Sequence, residues 1–495
     1  MSGFKRLVKN SISNIINGFS NVILGIVISP FLIKILSIND FSIWSLVLQT
    51  GAFFSLLGFS GQISVARYVT LSVAENNKLK LQRVINFGNT LSIASVVFSV
   101  TVLYLIYTHF FTIFNGIHAE QSSYAPDVFF VVSLSFIIGL LASVYNGYFT
   151  GIERNEIPAG VNLISRTILG VGIYISAHFS MMMMAITYFV INSLSYIVVY
   201  LLYLRFRKRN DNGDVKDSGS IKFKEFISYC FGVLVFNLST FLIVNLNGVL
   251  IGRYAFKEYA WYALAITLVT AVVGFLNAAL TPVLQPIVRL THSDEKSRLN
   301  DFVYILTRAI LTLSFTLLVV NFIVGRFVLD IWIGSEVASF TWPVFVFLLL
   351  TNLSRLLGAP LGLVYLAKGK QNEIIYLPLL EGAISVVMTF IFVKSFGVYA
   401  SAMSMAVSTI IIMFIYSFKL IGIAALDSCK NKFRWLLAGG PLALLVIIFI
   451  LARIQLQLTD ERLLLVFYIV MTVLAVVSFA VVFKDIKRIK KILES

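Results

Sequence analysis

The sequence predicts an all-α polytopic membrane protein with about 14 transmembrane helices, arranged as two parallel six-helix repeats plus two C-terminal helices. Three observations carry this. Of the 495 residues, 59% are hydrophobic and only 13% charged, where a soluble domain carries about 25% charged residues. Apolar runs of about 20 residues, near the length that crosses a ~30 Å hydrocarbon core, follow one another along the whole chain with short polar breaks. Two short motifs recur at nearly one offset. Fourteen spans of about 22 residues fill about 308 positions and leave no room for a sizeable soluble domain.

Cutting the chain at charged residues and at Gly, Pro and Asn clusters places the first six spans at 11–36, 41–66, 84–112, 127–150, 157–178 and 181–204. The first follows Lys5, Arg6 and Lys9 and runs on without a small-residue cleavage pattern, so it is read as a retained helix and not a removed leader. A basic linker at 205–223 intervenes, and spans follow at 224–252, 259–288, 302–329, 341–366, 374–394, 398–421, 435–453 and 463–483. The domain reading is a six-helix lobe at 1–204, the cytoplasmic linker at 205–223, a second six-helix lobe at 224–421, and two extra helices with a basic tail at 422–495.

Orientation follows from Lys and Arg, which cytoplasmic loops keep in excess. With the N-terminus inside, 29 of the 39 fall in cytoplasmic segments and seven in external ones, while Arg166, Arg308 and Arg355 lie within spans. Both termini are therefore expected in the cytoplasm. The same distribution separates the net charge of +16 from a nucleic-acid footprint, which gathers its cations on one water-facing patch. The tail from Lys484 to Lys491 is either a solvated anchor of this kind or a segment lying on anionic headgroups.

The turn from span 1 to span 2, Asp40-Phe41-Ser42-Ile43-Trp44-Ser45-Leu46, matches Glu258-Tyr259-Ala260-Trp261-Tyr262-Ala263-Leu264 between spans 7 and 8, at an offset of 218. Asn155-Glu156-Ile157 recurs as Asn372-Glu373-Ile374 at an offset of 217. Six spans, an even number, give both halves one orientation, so the repeats are parallel, and in transporters so built the substrate path lies between the lobes.

Several chemistries lack their residues. Cys230 and Cys429 stand far apart and suggest neither a disulfide framework nor a metal cluster. His109, His118, His178 and His292 show no ligand spacing. There is no Walker loop; Gly170-Val171-Gly172 sits inside an apolar span, where close helix packing explains it. No cofactor and no enzymatic activity are expected.

Polar groups inside spans carry the candidate site. Asn10, Asn14, Asn17 and Asn21 line one face of span 1, Gly51, Ser55, Gly58 and Gln62 one face of span 2, and Thr267, Thr270, Gly274, Asn277, Thr281 and Gln285 one face of span 8. Such stripes serve either helix packing or a wet cleft whose hydrogen-bonding groups suit a sugar. An intramembrane arginine is costly and marks a functional candidate. Arg166 lies near the middle of span 5, and the first lobe has no acid inside any span beyond Asp127 at the edge of span 4, which suits Arg166 to an anion such as a lipid diphosphate. Arg355, in the middle of span 10, either meets substrate or pairs with Glu381 in the next span. Arg308, near the cytoplasmic end of span 9, is also a candidate, with snorkelling to the headgroups as its expected behaviour. Pro30, Pro282, Pro286, Pro360 and Pro378 fall within spans and permit kinks.

With its two six-helix lobes, the aromatic turn Phe41 to Trp44 repeated at Tyr259 to Tyr262, two extra C-terminal helices and a basic loop between lobes, the chain resembles the bacterial polysaccharide exporters, the Wzx-type O-antigen flippases of the multidrug/oligosaccharidyl-lipid/polysaccharide (MOP) superfamily. The likeness covers nearly the whole chain. It implies alternating access by rocking lobes and movement of an undecaprenyl-diphosphate-linked oligosaccharide to the outer leaflet of the bacterial inner membrane. The implied partners are that substrate, membrane lipids, and the polysaccharide polymerase and chain-length proteins, with no nucleic acid. The family has no invariant catalytic motif to transfer. A lipid II flippase and a multidrug antiporter of the same superfamily remain open; the acid-free first lobe argues against the antiporter. A membrane glycosyltransferase or polymerase needs a larger reactive outward loop than the gap at 111–126.

Reporter fusions after Leu204 and after Ser495 should both read cytoplasmic. An external signal from either breaks the topology and the parallel repeat with it.

Overall fold

The computed structural model describes residues 25–118, 122–209, 221–280, 283–291, 296–368, 373–419, 433–457 and 461–494. They are helical almost throughout, and thirteen helices are long and apolar enough to cross a membrane. The described part of the first expected span is an apolar helix, α1 (Gly25–Ile35). After it come α2 (Ile38–Ala74), α3 (Lys78–Thr108), α4 (Ala125–Gly151), α5 (Glu156–Ala177), α6 (Met181–Arg209) and α7 (Phe223–Tyr254). The chain continues through α8 (Tyr259–Leu280), α9 (Ser297–Ile333), α10 (Ser335–Tyr365), α11 (Tyr376–Phe396), α12 (Val398–Lys419), α13 (Trp435–Ile454) and α14 (Glu461–Glu494). The all-helical polytopic class is therefore as the sequence predicts.

By internal contacts the chain forms two compact units, Met1–Ala263 and Leu264–Ser495. In the first, α2 and α4 form the main contact, and the reason is small residues. A Cβ on Gly147 would lie 2.6 Å from the Gln62 carbonyl oxygen, and one on Gly151 would lie 2.6 Å from that of Ala66. Lipid tails are as apolar as leucine, so helices associate in a membrane through such close approach and not through water exclusion. A core of Val65, Val69, Val84, Val144, Phe149 and Phe226 forms around this contact. Ile93, Val97, Phe98 and Leu105 of α3 point outward instead, as a lipid-facing surface requires. At the opposite end from that core, Asn39 Nδ2 donates to Ser122 Oγ at 3.1 Å and the Tyr124 hydroxyl donates to the Asp40 carboxylate, fastening the loop before α4 to the start of α2. Burial and then that carboxylate push the Tyr124 hydroxyl pKa well above its ordinary value.

The second unit packs Phe302, Leu357, Leu361, Ile412, Phe433 and Leu437 into its core. Here the prolines differ from the kinked continuous spans the sequence suggests. In the expected eighth span α8 is described to Leu280, Pro282 lies outside the described residues, and the helix Leu284–Thr291 holds Pro286 in its first turn. Span 10 breaks at Leu357 and Gly358, and Pro360 opens the segment Ala359–Ala367. Pro378 lies in the first turn of α11. First-turn N–H groups have no partner within the helix, so proline costs nothing there. Pro343, which the polar breaks did not single out, lies inside α10. Three π turns, Leu242–Leu246, Asn321–Gly325 and Trp435–Gly439, interrupt α7 and α9 and begin α13.

Gly147→Ala should lower thermal stability in detergent by about 1–3 kcal/mol, because the added methyl meets backbone and not a movable side chain. Gly160→Ala, with open space around its Cβ, should leave the melting temperature unchanged or raise it.

Candidate functional site

In the first unit the mid-span cation Arg166 is half-buried on α5. Its Nε donates to Asn162 Oδ1 at 3.2 Å, one turn earlier, and its guanidinium lies against the hydroxyl of Tyr188 on α6. Tyr188 is held by aromatic contacts, with Trp44 of α2 edge-on at 6.0 Å and Phe136 of α4 tilted at 5.8 Å. The Asn192 amide donates to the Tyr188 carbonyl at 2.8 Å. Among the described residues no carboxylate pairs with Arg166. Amide and hydroxyl oxygens orient the guanidinium without cancelling its charge. The aromatic turn seen in the sequence thus has a structural use: Trp44 supports the tyrosine that lines this cradle.

The other aromatic turn supports a second polar node, centred on Gln49, which sequence reasoning missed. Gln49 Nε2 donates to the carbonyls of Val244 and Asn245, 3.3 Å to each, within the π turn of α7. Tyr259 donates to Gln49 Oε1, and Tyr262 donates to the Val244 carbonyl at 3.1 Å. A π turn inserts one residue and disturbs the regular i→i−4 ladder, so its carbonyls need partners from elsewhere. Tyr259 and Tyr262 are fully buried, and a side chain on Gly248 would collide with the Gln49 amide. A glutamine inside an apolar span, off the face that carries Gly51, Ser55, Gly58 and Gln62, is the signal the sequence offers.

The residues of the span 2 stripe do not share one role. Gly51 packs on Phe136 and Gly58 on Leu140, both of α4, while Ser55 Oγ donates to the carbonyl of Ala52 at 2.6 Å. Gln62 is half-buried. On α8, Thr270, Gly274 and Asn277 are exposed, a polar face on an otherwise apolar helix. Asn14, Asn17 and Asn21 lie outside the described residues.

In the second unit Arg355 has its carboxylate. Arg355 Nε lies 2.9 Å from Glu381 Oε1, which also accepts from Thr409 Oγ1 at 2.6 Å. Arg355 Nη1 donates to Asn352 Oδ1 at 3.1 Å. The network joins α10, α11 and α12, and Glu381 is only 2% exposed. Arg308 departs from its expected snorkelling. It forks onto Asp485, with Nε 3.0 Å from Oδ2 and Nη2 on Oδ1, and Thr316 donates to Ser478 at 2.8 Å farther along the same pair of helices. The reason is the length of α14. The sequence ends the last span at 483, but the helix continues to Glu494 and turns Asp485, 1% exposed, inward.

Among the described residues no group of three His, Cys, Asp or Glu side chains could hold a metal ion.

A family model described as "Polysaccharide biosynthesis protein" matches residues 7–292. No curated protein sequence matches the chain. Among solved structures the fold is similar to that of the lipid II flippase MurJ in an inward closed conformation, at 13% identity and a TM-score of 0.68, covering 97% of this chain and 99% of that one. It is also similar to an inward-facing multidrug resistance MATE family transporter of the MOP superfamily, at 12% identity and a TM-score of 0.60, covering 85% and 95%. A MOP superfamily transporter from Pyrococcus furiosus aligns at 14% identity with a TM-score of 0.50, covering 87% and 96%.

Removing one partner of a buried ion pair strands the other charge, so Arg355→Ala should cost about 3–5 kcal/mol of stability. The exchange Arg355→Glu with Glu381→Arg should regain most of it, read by thermal unfolding in detergent. An exchange no more stable than the single variant would show that the pair does not hold these helices together.

Proposed function

The chain belongs to the polysaccharide biosynthesis protein family, and on that premise we propose that it is a flippase for an undecaprenyl-diphosphate-linked oligosaccharide, an O-antigen or other surface polysaccharide repeat unit. The chain is a multi-pass membrane protein of this family, and its fold, like that of MOP-superfamily transporters, supports a transport role and not an enzymatic one. The finer reading places it in the bacterial inner membrane with both termini cytoplasmic and has it work by alternating access.

One observation supports the anionic cargo above the rest. Arg355 and Arg308 are matched by Glu381 and Asp485, whereas Arg166 is oriented by an amide and a tyrosine and has no carboxylate among the described residues. A diphosphate offers oxygens that a planar guanidinium engages with two hydrogen bonds at once. The guanidinium is already steered by Asn162 and Tyr188, so little side-chain entropy is lost on binding. Arg355 and Arg308 then serve chiefly as the charges that hold the second unit together. The amides of Asn14, Asn17, Asn21, Gln62 and Asn277 are the proposed contacts for the neutral sugar, whose hydroxyls need partners once out of water. The polymerase and chain-length proteins that consume the flipped unit are its proposed partners.

The near full-length likeness to MurJ keeps lipid II as the second reading. A deletion strain separates them. Viable cells that lose surface polysaccharide and accumulate a lipid-linked oligosaccharide match the flippase; lethality with accumulated lipid II favours the second reading, and drug sensitivity alone contradicts both. In the same strain Arg166→Ala, made at normal protein level, should restore little export, while Arg166→Lys, which keeps the charge and loses the fork, should restore part of it.

A further inference from the structure

The structure assigns to the emergent end of α14, from Phe483 to Arg488, a seat for anionic phospholipid headgroups. The helix has 34 residues, about 51 Å at 1.5 Å per residue, which exceeds a ~30 Å hydrocarbon core by several turns. The excess does not trail into water. Ile489 and Ile492 pack against the core of the second unit, and Arg308 grips Asp485 from the side.

That ion pair determines the electrostatics of the surface outside it. Asp485 is the only acid between Phe483 and Leu493, and its charge is spent on Arg308, so it does not offset its neighbours. Lys484, Lys487 and Arg488 are exposed, and among the described residues none of them has an ion-pair partner. Spacings of three and four residues set them on one side of the helix.

Apolar groups lie among these cations. Phe483 is 53% and Ile486 52% exposed, and Lys487 Nζ sits 4.8 Å from the centre of the Phe483 ring. Cations set among exposed aromatic and aliphatic groups, where a membrane helix leaves the hydrocarbon, suit the boundary between acyl chains and phosphate headgroups. A solvated anchor would need the cations and not the exposed Phe483 and Ile486. The occupant is therefore an anionic lipid and not a soluble phosphate.

The test is titration of the purified full chain in neutral detergent with fluorescent phosphatidylglycerol, against phosphatidylcholine carrying the same label. Wild type should prefer phosphatidylglycerol. The triple variant Lys484→Gln, Lys487→Gln, Arg488→Gln should lose roughly a hundredfold in affinity for it, about fivefold per cation, at an unchanged melting temperature. Neutralising Lys78, Lys80 and Arg83 of the first unit in the same way should leave the affinity intact. If the triple variant unfolds early, Lys484→Gln alone carries the test with its fivefold loss. Equal affinity in the variants, equal binding of phosphatidylcholine, or full competition by glycerol phosphate at the lipid's own concentration would overturn the assignment.

Discussion

Inside a hydrocarbon layer a charge or an unbonded carbonyl has no water to turn to, so each must find its partner within the protein. This constraint accounts for most of what holds these helices in place. Glu381 and Asp485, buried to within a few per cent, are bearable because Arg355 and Arg308 meet them from neighbouring helices. The π turn of α7 is bearable because Gln49, Tyr259 and Tyr262 bond its carbonyls or one another. Two of these solutions tie elements far apart in sequence: Arg308 and Asp485 are 177 positions apart, and Gln49 and Val244 are 195 apart.

Against that background Arg166 is the exception that bears on function. Its neighbours orient it and do not neutralise it. Arg355 illustrates the alternative, a mid-span arginine whose carboxylate has a second donor in Thr409 and whose job is done within its own unit. The same physics therefore separates a structural cation from one with charge to offer an anionic cargo. The close contact of α2 with α4 through Gly147 and Gly151 belongs to the structural side, since it brings Trp44 and Phe136 into the reach of Tyr188.

Composition and apolar run length made the class legible, because both follow from the thickness of the bilayer and need no tertiary information. The pairing of Arg355 with Glu381 was legible as one of two possibilities, since helix rise gives relative depth but not the facing of two helices. Asp485 is not, because charge marks the end of the last span, and a helix that goes on past the hydrocarbon can turn one carboxylate back. The role of Gln49 is hidden for another reason. Its partners are backbone carbonyls, and the π turn that frees them leaves no mark in residue type. Pro286, Pro360 and Pro378 read as interior kinks, since a first turn looks like a helix interior when the preceding break is short.

The central claim, that the unneutralised Arg166 meets the phosphates of a lipid-linked cargo, is tested most directly by the affinity of the purified protein for an undecaprenyl diphosphate carrying a short sugar. Replacement of Arg166 by Gln should weaken binding by tenfold or more, on the order of 1.5–3 kcal/mol for a charge-assisted hydrogen bond, and should reduce the preference for diphosphate over monophosphate. An affinity and a preference unchanged from wild type would contradict the account.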